Sequence, residues 1–205
     1  MRIVLMYLGR KGAGPVYSLE FTRALLEQGV EILGIISTYS ANRKDWEQLE
    51  NVYGKNMQFQ LLKISTFQNI IQCILRTANP FLFYKIIRSI KKFCPDAILA
   101  TMIHPWHAIL FSLLRNKILR IKIIHDVDPH VGENSLIERW LNMWDIRTTD
   151  KWIVLTSNSK NKLAAKGIAN DDILVIPHAH FGFYNKYNSP AFVDKINYRI
   201  AFFGR

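Results

Sequence analysis

Short runs of continuous apolar residues alternate with helix-like segments along the chain, and that alternation restricts the fold more than any other feature. Ile3 to Tyr7, Val30 to Ile36, Met57 to Ile64, Ala97 to Thr101, Ile121 to His125, Trp152 to Thr156 and Ile173 to Ile176 read as strands. Strands that are apolar on both faces need cover on both faces, as in a parallel sheet between two layers of helices. The segments between them read as helices. Pro15 opens the first, because its missing N–H would have no partner in a first turn anyway. Gly29 ends it, and further helical stretches lie at 42–52, 67–76, 81–93, 105–114, 135–146 and 159–166, the last stopped by Gly167. The expected fold class is α/β: a Rossmann-like three-layer α/β/α domain with a mostly parallel sheet. No internal repeat or low-complexity tract interrupts it.

Of the 205 residues 49% are hydrophobic and 12% aromatic, which suits a packed domain. The net charge is +11, so an acidic partner is expected: nucleic acid, anionic lipid or a phosphorylated substrate. No nucleic-acid recognition motif accompanies the charge. The two cysteines, Cys73 and Cys94, form no Cys-x-x-Cys pair, and reduced thiols in a cytoplasmic protein are expected. No apolar run is long enough for a spanning helix.

Ligands of doubly wound sheets collect at the carboxyl ends of the strands. All six histidines lie in segments that end or follow an expected strand: His104, His107, His125, His130, His178 and His180. Together they suggest a polar rim around a cleft, although each alone reads as an ordinary loop histidine. His104-x-x-His107 and His178-x-His180 lack the partners of a recognised metal-ligand pattern, so no metal is expected. The loop Gly9-Arg10-Lys11-Gly12-Ala13-Gly14 follows the first strand and opens a helix. Such a loop can present backbone N–H groups to a phosphate, and a plain tight turn is the equal alternative. Its glycine spacing is not that of the dinucleotide fingerprint, and the second strand ends in Ser37-Thr38 without a ribose-binding acid. No Gly-Lys-Ser/Thr is present, which excludes a nucleoside-triphosphate loop. The densest chemistry is His125-Asp126-Val127-Asp128-Pro129-His130-Val131-Gly132-Glu133, where two imidazoles and three carboxylates follow a strand. Such groups orient hydroxyls and move protons near neutral pH; the alternative is a helix-entry loop capped by Asn134 or Ser135.

These segments together resemble family 4 of the retaining glycosyltransferases. The likeness runs from the glycine loop and the helix ending Leu25-Leu26-Glu27-Gln28-Gly29, through the His-Asp-x-x-Pro-His-x-Gly-Glu pattern at His125–Glu133. It continues in Asp150–Ser157, in Val175-Ile176-Pro177-His178 and in the terminal Phe202-Phe203-Gly204-Arg205, while Ala179 stands where a glycine is common. The resemblance implies a GT-B enzyme, with two Rossmann-like domains facing a cleft and no metal or other cofactor. Residues 1–193 would form the acceptor-side domain, and 194–205 the linker and first strand of a donor-binding domain. The partners would be a nucleotide-sugar donor, as substrate, and a glycan or lipid-linked acceptor in cell-surface polysaccharide assembly. Gly12, Gly14 and Arg205 would contact the donor phosphates, and His125 would sit beside the reacting centre. Lys11, Tyr17, His104, Asp126, His130 and His178 would line the cleft or acceptor side. The donor-side glutamates and lysine of the family would lie beyond residue 205, so these residues alone are expected to be inactive. Two other classes stay open: a nicotinamide-dependent oxidoreductase, and a non-catalytic α/β module binding an anionic partner.

The segment Phe81 to Phe93 mixes apolar and basic residues at helical spacing. It reads either as a surface helix touching an anionic membrane or as a helix packed on the sheet with a solvated basic face. With a lipid-linked acceptor, the expected location is cytoplasmic, peripheral at the inner face of the cell membrane.

Overall fold

A computed structural model describes residues 1–114, 118–127 and 143–177. Its first strand, β1 (Arg2–Tyr7), lies near the middle of the sheet and supplies side chains to both layers. Val4 and Met6 enter one core with Leu8, while Ile3, Leu5 and Tyr7 enter the other. This is the period-2 alternation of a strand buried on both sides.

The elements follow in the order α1 (Gly14–Glu27), β2 (Glu31–Ser37), α2 (Arg43–Tyr53), β3 (Phe59–Ile64), α3 (Ile70–Thr77), α4 (Pro80–Phe93), β4 (Ala97–Ala100) and α5 (Pro105–Leu113). After β5 (Leu119–Ile124) come a helical segment at 143–148, here α6, then β6 (Lys151–Val154), α7 (Ser157–Ala165) and β7 (Ile173–Val175). The seven strands form one parallel sheet in the order β3-β2-β1-β4-β5-β6-β7. Ile3 is in register with Ile32 on one side and with Ala97 on the other, so the strand order reverses between β1 and β4. The expected α/β class and Rossmann-like layering are what the structure has.

Helices α1 and α2 cover one face through Leu19, Leu26, Trp46 and Leu49. On the other face α4 and α5 bury Phe83, Ile86, Ile90, Trp106 and Phe111. Trp152, Val154 and Leu163 form a third cluster where α7 meets the later strands. Threonine and serine hydroxyls stitch neighbouring segments inside: Ser18 meets Thr101 at 2.6 Å, and Ser37 meets Thr66 at 2.6 Å.

Two strands depart from the continuous apolar pattern, and β3 does so with Gln60 and Lys63, both exposed. β5 carries two buried cations, Arg120 and Lys122. Arg120 donates from Nε to Asp150 Oδ2 at 2.8 Å and pairs its terminal nitrogen with Oδ1, and its backbone N–H donates to the same carboxylate at 2.9 Å. Lys122 donates to Asp145 of α6. β5 begins two residues before the apolar run at Ile121, with Leu119 and Arg120 in register with Ala97 and Ile98.

Candidate active site

The strand order reverses between β1 and β4, and the carboxyl edge of the sheet at such a point is the usual ligand position in this architecture. The glycine loop leaves β1 there. Gly12 has φ +86°, a left-handed conformation that a side chain disfavours, and Lys11 and Gly12 are exposed. A Cβ on Gly9 would lie 2.7 Å from the Tyr7 hydroxyl, and one on Gly14 would lie 3.0 Å from the Tyr7 ring and 3.2 Å from Met102, just past β4. The glycines therefore let the loop close down on the strand ends. Ala13, before α1, supplies no side-chain cap, and the first turn contains Pro15 and no acid. The loop thus leads directly into a helix N-terminus, whose dipole favours an anion.

Tyr17, one turn into α1, is buried, and burial pushes its hydroxyl pKa up to about 12, so it is neutral. The edge of one ring meets the face of the other where Tyr17 packs on His125, with centroids 4.4 Å apart. This contact joins α1, which follows the glycine loop, to the segment after β5. Asp126 follows His125 directly, and Lys166 after α7 donates to the Val127 carbonyl at 2.7 Å, tying that segment down. Arg10 donates to the Gln68 carbonyl at 3.1 Å, which ties the loop to the approach to α3.

His104 follows β4 as expected but lies beneath the surface. Its Nδ1 accepts the Trp106 N–H at 3.2 Å, which caps α5. Burial first, and the Lys122 charge second, lower its pKa to about 3, so it is a neutral acceptor. Neighbouring His107 is fully buried and likewise pushed well down by burial, Lys122 and His104. Neither of its ring nitrogens has a hydrogen-bond partner among the described residues. Where the sequence suggests a polar rim, these two histidines thus belong to an interior cluster with Lys122 and Asp145. Packing by Phe67, Trp106 and Phe111 around them takes them from water. Lys122 and Asp145 are not among the expected site residues; their signal in the sequence is a lysine inside a strand followed by an aspartate on a helix. Among the described residues no group of three or more His, Cys, Asp or Glu side chains converges as a metal site. His130, His178 and Arg205, and the boundary at 193, lie outside the described residues.

The structure resembles several solved GT-B proteins. One is Anabaena Alr3699/HepE in complex with UDP, at 14% identity and TM-score 0.58, with 88% of this chain and 44% of that chain covered. A second is the UDP-GlcNAc 2-epimerase of Neisseria meningitidis bound to UDP-GlcNAc, at 13% identity and TM-score 0.61, covering 85% and 45%. A third is UGT89C1 of Arabidopsis thaliana complexed with UDP, at 12% identity and TM-score 0.59, covering 86% and 48%. The chain thus spans about half the length of these proteins, and the likeness is one of fold. No curated protein matches it in sequence. The sequence model of Glycosyltransferase Family 4 matches residues 14–179, from the start of α1 through the last described strand. With that match running from the glycine loop through the His125 segment, the chain belongs to Glycosyltransferase Family 4.

Proposed function

We propose that this chain is the acceptor-side part of a transferase that moves a sugar from a nucleotide-sugar donor to a glycan or lipid-linked acceptor with retention, in cell-surface polysaccharide assembly. The observation that carries the reading is the packing of Tyr17 on His125 at 4.4 Å, which brings the glycine loop and the β5 segment to one mouth in a chain of this family. Three solved relatives in fold carry UDP or UDP-GlcNAc, which supports a uridine nucleotide sugar as the first donor to try.

In this reading Gly12, Gly14 and the N-terminus of α1 approach the donor diphosphate, whose charge the helix dipole favours. Arg205 adds a charge-assisted contact to the same group. His125 lies beside the anomeric carbon and hydrogen-bonds the transferred sugar or the acceptor hydroxyl. The leaving phosphate takes the acceptor proton, so His125 positions and polarises without being an obligatory base. Lys11, Tyr17, Asp126, His130 and His178 shape the acceptor side. No metal takes part, and the enzyme works on the cytoplasmic side of the membrane.

The test is sugar transfer by the complete enzyme from labelled UDP-sugars to lipid and glycan acceptors. His125→Ala is expected to lower turnover by about 10²-fold, the scale of one positioned catalytic group, with a smaller effect on donor binding. Arg205→Ala is expected mainly to raise the donor concentration required. Unchanged turnover of His125→Ala at saturating donor would remove His125 from the site. Inversion at C2 of a UDP-N-acetylhexosamine without transfer to any acceptor would replace the transferase reading with an epimerase.

A further inference from the structure

Helix α3 is turned inside out. Ile70, Ile71, Ile74 and Leu75 share one side of it and are 63–72% exposed, and the helix buries no residue. Its polar side faces the protein. Arg76 reaches the Tyr39 hydroxyl at 3.3 Å, Thr77 accepts the Trp106 indole N–H at 2.8 Å, and Gln72 accepts the Gln68 backbone N–H at 3.0 Å. These polar contacts fix the rotation of the helix, so its apolar side cannot turn inward without breaking them.

The exposed apolar surface continues into α4. Phe81 is 80% exposed at its first turn, with Tyr84 exposed one turn on. Beside them an apolar groove of about 400 Å³ runs between Pro80, Phe83, Tyr84 and Ile87 of α4 and Ile109 and Leu113 of α5. Lys85, Arg88, Lys91 and Lys92 extend the outer stripe of α4, all exposed. From Asn51 through Pro95 the sequence contains no acidic residue and seven basic ones.

Large exposed apolar patches on soluble proteins mark an interaction surface. Apolar side chains beside a stripe of lysine and arginine, in a stretch of sequence free of acids, match a bilayer that offers hydrocarbon below an anionic headgroup layer. We propose that α3 and the first turns of α4 form a membrane-docking face. Its apolar side chains enter the headgroup–acyl boundary, and Lys85, Arg88, Lys91 and Lys92 pair with anionic phospholipid. The face adjoins the candidate site, because Arg10 of the glycine loop holds the Gln68 carbonyl just ahead of α3. Docking there presents the candidate site to an acceptor embedded in the same leaflet, which deepens the transferase reading and rests on it only for that last step.

The experiment is co-sedimentation of the full chain with phosphatidylcholine vesicles, with and without phosphatidylglycerol, alongside measurement of its oligomeric state. Wild type is expected to sediment with the anionic vesicles. Ile71→Glu with Leu75→Glu is expected to lower the partition by about tenfold or more, with Tm unchanged because both sites are exposed. Lys85→Glu with Arg88→Glu is expected to remove the preference for anionic vesicles, and Val52→Glu, equally exposed on the opposite face, to change nothing. Wild type remaining in the supernatant, or the Ile71/Leu75 variant binding undiminished, overturns the proposal. So does a wild-type dimer that the same variant makes monomeric without any vesicle binding, since the occupant is then a second copy. Vesicle binding requires neither donor nor turnover, so its failure is separate from a failure of the transferase reading.

Discussion

Lys122 has its amine in the interior, opposite a carboxylate that is also nearly buried. Burial pushes the lysine pKa down, and the Asp145 charge opposes that shift. A buried ion pair is strong evidence of mutual dependence and weak evidence of net stability, since both ions lose their hydration. Asp145→Ala is therefore expected to destabilise the fold by about 3–5 kcal/mol in urea unfolding, because it strands a charge. Lys122→Met with Asp145→Leu is expected to recover most of that loss. If the double variant were as unstable as the single one, the pair would owe its importance to packing geometry instead of charge.

Helix ends show the same competition between local preference and context. Gly29 and Gly167 take φ of +77° and +91° where helices stop, as their sequence positions suggest. α4 instead stops at Cys94, which takes φ +49° ahead of Pro95. A non-glycine residue in the left-handed region costs about 1–2 kcal/mol. Cys94→Gly relieves that strain while giving the unfolded chain more freedom, and is expected to raise stability by about 0.5–1 kcal/mol. Thermal unfolding under reducing conditions measures it, and a lower Tm would mean that the thiol contact to the Lys91 carbonyl outweighs the strain.

The buried histidines couple the whole molecule to pH. An unfolded imidazole titrates near 6.5. In the folded protein His104 stays neutral to about pH 3, and His107 is held well below its ordinary value by burial and Lys122. Above pH 6.5 both states are neutral at these sites and neither histidine changes stability. Below it the unfolded chain takes up protons that the native state refuses, so stability falls with pH until the native histidines charge. His104 is expected to cost the fold about 2 kcal/mol between pH 7 and pH 5, and His107 steepens the fall in the same direction. His107→Phe is expected to remove close to one proton's worth of that slope in denaturant titrations across this range; an unchanged slope would mean that His107 already charges in the native state. No helix among the described residues is long and apolar enough to cross a membrane.

The sequence by itself determined the layering. Continuous apolar strands such as Ile32–Ile36 and Ala97–Ala100 can be satisfied only between two helical layers, and Pro15, Gly29 and Gly167 punctuate helices by local backbone chemistry that needs no tertiary partner. The glycine loop and the His125 segment were legible as functional candidates because each ends a strand, and parallel strands share one carboxyl edge. Only the tertiary structure decided which side chains that edge brings together. Tyr17 and His125 meet across more than a hundred residues of chain because β1, β4 and β5 lie in neighbouring positions, an order that periodicity does not encode. Lys122 looks misplaced in a strand until Asp145 arrives from a helix to pair with it. α3 has an ordinary amphipathic sequence, yet its apolar side faces out because Arg76 and Thr77 find partners on Tyr39 and Trp106, two residues far away in sequence. Local preference sets the elements, and burial and pairing at long range set which of their faces is the inside.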